Sequence, residues 1–335
     1  MSVRTVVDVH AHVAVPSLLA GEGPDAPWRP RVRLEDGRQV QVELAGRSVD
    51  SIVAELSRID VVVAEAAATG VDRLVVSPWV SMLPVTMDRG AAAELCRAHN
   101  EGLAAAVRGL PGRVDAFGAV PLQDASLAAT VLAEARAAGL VGVEIMPSAE
   151  GRWLGHPSFA PFWEAAESLG APVFVHPSTR GLGMDVFNEY YLWNAVANPV
   201  ETAIAASHLV MSGVLERHPG LIVVLAHGGG VLPSLAGRLD RAWRARPEAR
   251  LMLREPPERS LKRLRFDTVT HDRTALAALV AAVGADHVLL GSDRPFDMGC
   301  DDPVGEVRAL GLSPADEALV LGRNALAMLE RAGRP

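Results

Sequence analysis

Along the chain, short apolar runs rich in Val, Ile and Leu alternate with longer Ala, Leu, Glu and Arg stretches of helical period. Eight such runs fall at Val6–His12, Arg73–Trp79, Val114–Leu122, Val141–Pro147, Pro172–Pro177, Leu221–Gly228, Arg263–Thr270 and His287–Asp293. Between and after them the period predicts helices near 50–69, 89–109, 124–138, 158–169, 194–217, 231–245, 272–284, 303–311 and 314–331. Near-continuous apolar strands, buried on both faces, belong to parallel sheets covered by helices. Eight of them in regular alternation predict an α/β chain folded as a (β/α)8 TIM barrel rather than an open sheet, with residues 1–335 as a single domain.

The stretch between the first strand and the first helix, residues 13–48, is too long for a plain connection. Within it Arg31–Leu44 alternates polar and apolar residues around Asp36-Gly37, which predicts a small β-hairpin insertion at the barrel mouth. The 181–198 stretch gathers both tyrosines and one tryptophan just past a strand end, and reads as packing, a lid or an interface.

Composition narrows the class. The 335 residues are 49% hydrophobic and 21% charged, enough for a large core without staples. The net charge of −8 and arginines spread along the chain argue against a nucleic-acid surface. No run of 18 apolar residues suggests a membrane span, and no basic leader precedes the first strand. Two cysteines, Cys96 and Cys300, make neither a disulfide framework nor a CxxC pair, which fits a cytoplasmic protein with a small-molecule partner.

In such a barrel the reacting groups sit at the C-terminal ends of the strands. The first strand ends Asp8-Val-His10-Ala-His12, and residues two apart on a strand point to one side, so both imidazoles can face the lumen. The fifth run ends at His176, the sixth at His227 followed by three glycines, and the eighth at Asp293. Any one of these histidines alone reads as a hydrogen-bonded wall residue. Together, three imidazoles and a carboxylate with a position left open have the composition of a catalytic Zn²⁺ site, assigning His10, His12, His176 and Asp293 to one divalent metal ion. Asp8 reads either as an acceptor behind the pair or as a structural Asp near the barrel floor.

His227 is then the acid/base, working with a metal-bound water, because moving that water's proton needs a partner that titrates near neutrality. Thr268, Thr270 and His271 end the seventh run and read as wall packing. His99, His156, His208, His218 and His287 have no ligand partner at suitable spacing. Strand four offers no lysine to bridge two metals; the 32 Lys and Arg residues include one lysine, Lys262, away from any strand end, so a single ion is expected.

His-x-His on the first strand, Val175-His-Pro177, the run 213–220, Ala226-His-Gly-Gly-Gly230, Gly291-Ser-Asp-x-Pro-Phe296 and Gly322-Arg-Asn-Ala325 resemble the amidohydrolase-related metal-dependent decarboxylases. Their pattern is similar to the aminocarboxymuconate semialdehyde decarboxylase branch, since relatives acting on aromatic acids often carry Glu-x-His at the first strand. The resemblance implies non-oxidative loss of CO₂ from a small unsaturated or aromatic carboxylic acid. Asp293 and His227 would form the catalytic pair, and two arginines would bind substrate carboxylate. The matching positions are Arg47 and Arg238, the second contributed by the neighbouring subunit of a homodimer. Departures from the family are Arg294 after Asp293 and Arg180 after His176-Pro177, where aromatics are common. They bear on the substrate. Hydrolysis of a lactone or amide by the same groups is the competing reading, and a metal-bearing barrel that only binds is the third.

Overall fold

The computed structural model describes residues 5–19, 26, 28–35, 38–50, 53–177 and 182–333. Arg180 and the Asp36-Gly37 turn lie outside them. The eight predicted runs become eight parallel barrel strands: β1 Val7–Val13, β2 Arg73–Pro78, β3 Val114–Ala119, β4 Gly142–Ile145, β5 Val173–Val175, β6 Val223–Leu225, β7 Arg265–Asp267 and β8 Val288–Leu289, paired in that order. Past the end of β8 the chain rejoins β1. The Val9 amide donates to the Leu290 carbonyl at 2.9 Å, Asp293 to His10 at 2.7 Å and His12 to Arg294 at 2.7 Å, closing the barrel.

Helices on the outside fill the gaps as the period predicts, several started by an aspartate that accepts from the first free amides. Asp88 caps Arg89–Gly109, Asp124 caps Ala125–Ala137 and Asp272 caps Arg273–Val283. The main apolar core lies between strands and helices. A second cluster joins Val7, Val9, Val75, Phe117, Phe174 and Leu289 to Met328 and Leu329 of the last helix, Asn324–Arg331. The Gly322-Arg-Asn-Ala325 motif serves this closure: a Cβ on Gly322 would stand 2.0 Å from the Thr5 carbonyl, and the Asn324 amide donates to Ala285 and Val288 at 2.8 and 2.7 Å.

The insertion departs from the expected hairpin. It is a three-stranded antiparallel sheet, Arg31–Glu35, Arg38–Leu44 and Arg47–Asp50, running two residues past the expected boundary at 48. The second connection is the two-residue turn Ala45-Gly46, with φ of 52° and 74°. An alanine in that left-handed region is unusual, which hid the turn from the sequence. Val42, Leu44 and Val49 of the sheet line a narrow crevice with Trp79 and Met82, just beyond the C-terminal end of β2, so the sheet sits at the mouth.

Candidate metal centre and active site

Strand ends place the side chains. Pairing of β1 with β2 shifts register between Asp8 and Ala11, a bulge across which His10 and His12 converge while Val7 and Val9 pack in the apolar cluster. The backbone turns left-handed at His227, φ 56°, and at Asp293, φ 60°, where β6 and β8 have ended. Non-glycine residues in that region carry strain, and both are held there by hydrogen bonds. Asp267 accepts from the amides of His227 and Gly228 at 3.0 and 2.8 Å, and the Asp293 amide is held by His10. At these two ends this is also why the strands stop short of the apolar runs.

Four of the side chains, His10, His176, His227 and Asp293, bring one ligand atom each within 4.8 Å of the others. His12 joins them: its Nε2 lies 3.1 Å from that of His10, and both lie 3.2 Å from Asp293 Oδ1. Each of the three proposed imidazole ligands is tied by its other nitrogen. His10 Nδ1 is 2.6 Å from Asp267 Oδ2, His12 Nδ1 3.1 Å from the Pro78 carbonyl and His176 Nδ1 2.9 Å from the Pro177 carbonyl. A carbonyl accepts only from N–H, so the Nε2 atoms of His12 and His176 present lone pairs to the centre; the carboxylate fixes His10 the same way.

The donor set fits a divalent cation. His176 Nε2 and Asp293 Oδ1 are buried and make no hydrogen bond. Two imidazole nitrogens and a carboxylate oxygen this close, out of water, call for positive charge between them. The titration directions agree. Burial alone would push His10 down, but the charges of Asp293 and Asp267 raise it to about 10. Burial drives His12 down, and drives His176 well below the ordinary imidazole range. Burial would raise Asp293, but His10 and its neighbours hold it well below the usual carboxylate range.

Two residues outside the sequence-derived site belong to this surrounding. Asp267, the last residue of β7, orients His10 and fixes the His227 turn at once. Its signal was a lone acid inside the run 263–270, with no partner at strand spacing. Glu144 on β4 is fully buried with neither oxygen hydrogen-bonded, 3.9 Å from His12 Nδ1, and burial raises its carboxyl well above the ordinary value. It was visible as the one charge in the run 141–147. Asp8 does not touch an imidazole; it accepts from the Ser292 hydroxyl at 2.5 Å and the His10 amide at 2.9 Å, lashing β1 to the segment that carries Asp293.

His227 Nε2 stands 3.3 Å from Asp293 Oδ2, while its Nδ1 has no partner. Both residues line a cavity of about 610 Å³. Thr270 and His271 line it too, whereas Thr268 braces the wall by bonding Gly291. Arg47 lines the separate crevice by Trp79, and Arg238 is exposed on the helix Leu232–Ala245; neither lines the cavity of its own chain. Arg294 turns away, donating to Thr69 Oγ1 at 3.3 Å and to the Asp301 carbonyl at 2.7 Å. His99, His156, His208, His218 and His287 stay out of the cluster.

Residues 7–331 match the amidohydrolase family profile. A 2-amino-3-carboxymuconate-6-semialdehyde decarboxylase from Dictyostelium discoideum is 33% identical over 241 residues, covering 71% of this chain and 67% of that one. A gamma-resorcylate decarboxylase from Rhizobium radiobacter is 29% identical, covering 98% and 99%. The fold resembles a dihydroxybenzoic acid decarboxylase from Polaromonas sp. JS666 solved with manganese and 2-nitroresorcinol, with TM-score 0.79, 23% identity, and 98% and 97% coverage. With its barrel, its His/Asp centre and this near end-to-end match, the chain belongs to the amidohydrolase family.

Proposed function

We propose that the protein is a metal-dependent, non-oxidative decarboxylase, a carbon–carbon lyase acting on a small unsaturated or aromatic carboxylic acid. One observation carries the reading. A buried set of tethered imidazoles and a carboxylate, shaped for a divalent cation, opens beside His227 on a cavity large enough for such an acid. The related proteins named above are decarboxylases, which favours this over lactone or amide hydrolysis.

His10, His12, His176 and Asp293 would hold the ion, one per subunit. Bound there, a divalent cation supplies Lewis acidity and charge stabilisation for the developing anion. Three imidazoles and one carboxylate suit zinc. The manganese of the Polaromonas protein makes it the competitor to measure.

His227 does the proton work. With Nε2 directed at Asp293 on the cavity both residues line, an imidazolium can hand its proton to the carbon bearing the carboxylate. The C–C bond breaks, its electron pair stays on carbon and takes that proton, and CO₂ departs. Asp293 holds the ring in place through the 3.3 Å contact to Nε2. Arg47 and Arg238 are the proposed carboxylate clamps, Arg238 reaching the mouth of a second copy in a homodimer; a guanidinium fork suits bidentate carboxylate binding. The unpaired Cys96 and Cys300 support a cytoplasmic setting. Among the described residues, no helix is long and apolar enough to cross a membrane.

The test is His227→Ala in metal-analysed protein. It should keep one equivalent of metal and lose CO₂ release by about 10²-fold or more. Normal turnover in that variant removes His227 from the chemistry. Opening of a lactone or amide with no CO₂ from any acid would turn the reading to hydrolysis.

A further inference from the structure

Resting on the assignment of His10, His12, His176 and Asp293 to one divalent cation, we propose that Glu144 is a further carboxylate ligand to that ion and turns the centre's preference from zinc toward manganese. Strand geometry aims the residue. Val143 and Ile145 on β4 pack in the main core between strands and helices, so Glu144, between them, points to the opposite face and into the barrel. On β5, Val173 and Val175 likewise face the helices while Phe174 belongs to the inner cluster. Glu144 stands in register with Phe174, whose ring centre is 4.9 Å from that of His10. The His176 amide continues the ladder by donating to the Ile145 carbonyl at 3.0 Å, which puts His176 on the face of Phe174, one step nearer the mouth.

The result is a second set of donors. His12, Glu144 and His176, all buried, bring one ligand atom each within 4.8 Å of one another, and the set shares His176 with the group of His10, His176, His227 and Asp293. With Nδ1 bonded to the Pro177 carbonyl, His176 has one lone pair to give, on Nε2, and one lone pair binds one ion. His12 is limited in the same way by the Pro78 carbonyl. The two sets therefore describe a single ion with Glu144 among its donors, not two ions side by side. The carboxylate itself calls for this. Neither oxygen has a hydrogen-bond partner among the described residues; His12 Nδ1, 3.9 Å from Oε1, is too far for one. A cation shared with the imidazoles supplies what burial has taken from it. A second carboxylate also changes which ion fits. Zinc is served by four donors rich in imidazole, whereas manganese favours oxygen and a larger ligand set, so the added oxygen counts more for manganese.

The experiment uses full-length protein freed of metal, with Mn²⁺ and Zn²⁺ alone as probes. Affinity for each ion is measured by competition with a chelator, and free Mn²⁺ is followed in parallel by electron paramagnetic resonance. Glu144→Gln keeps the shape and removes the charge. It should weaken Mn²⁺ by about 10- to 100-fold and lower the ratio of Mn²⁺ to Zn²⁺ affinity by about 10-fold or more. The metal-free variant should melt no lower than metal-free wild type, because a neutral amide costs less to bury than a carboxylate. An unchanged ratio overturns the assignment, whether both affinities hold or both fall together, since a charge that merely stands nearby acts on the two dications alike. A variant that melts lower with its ratio intact would assign Glu144 to the fold and overturn it equally. Wild type that binds neither ion overturns the centre and the role of Glu144 with it. None of these readouts uses CO₂ release, so a metal-loaded wild type that decarboxylates nothing would count against the proposed reaction and leave the ligand standing.

Discussion

His99 and His176 are both buried, 1% and 5% exposed, and they have nothing else in common. His99 lies in the helix Arg89–Gly109 with neither ring nitrogen hydrogen-bonded, and burial pushes it down to about 4, so it stays neutral. His176 ends a barrel strand with Nδ1 bonded to the Pro177 carbonyl and Nε2 turned toward His10, His227 and Asp293. Burial therefore does not mark a functional imidazole. What marks it is one nitrogen tied down so that the other is aimed, with other aimed donors around it.

The sharpest way to break that contrast is Asp293→Asn, which keeps the shape of the centre and removes a negative charge from among its imidazoles. Metal should fall from one equivalent per subunit to near none, and CO₂ release by at least about 10³-fold. A variant that keeps its metal would put His176 in the same category as His99. Asp267→Asn acts a step further out, on the tether of His10 and the turn at His227. Metal should dissociate about 10- to 100-fold more readily, measured by competition with a chelator, while the barrel still folds. Unchanged metal affinity would mean that the 2.6 Å contact orients nothing that matters.

These residues also show how far the sequence carries. The barrel was legible because its strands are largely buried and therefore mostly apolar, and the ligands were legible because they stand at the ends of such runs. Asp267 and Glu144 were less so, since a lone acid in a run has no spacing partner; only the closed barrel brings it within reach of His10 or His12. The third strand of the insertion is not legible because it is four residues long and follows a turn with alanine in left-handed conformation.

The smallest expected effect tests the other half of the contrast, that His99 is held neutral and takes no part in the chemistry. Its folded pKa is near 4 and its unfolded value near 6.5. A depressed folded pKa means the unfolded chain binds the extra proton first, so stability is full above about pH 6.5 and falls as pH drops toward 4. Between pH 7 and 5 this amounts to about 2 kcal/mol. His99→Leu removes the titrating group while keeping an apolar side chain of similar bulk, so metal content and CO₂ release at pH 7.5 should be unchanged. Urea unfolding at a series of pH values, followed by tryptophan fluorescence, should show the variant gaining on wild type by that amount as the pH falls. Other groups titrate in both proteins and cancel in the difference. A difference that does not vary with pH would show that His99 finds a partner for its proton, and the distinction between an aimed imidazole and a merely buried one would then need more than hydrogen-bond geometry to draw.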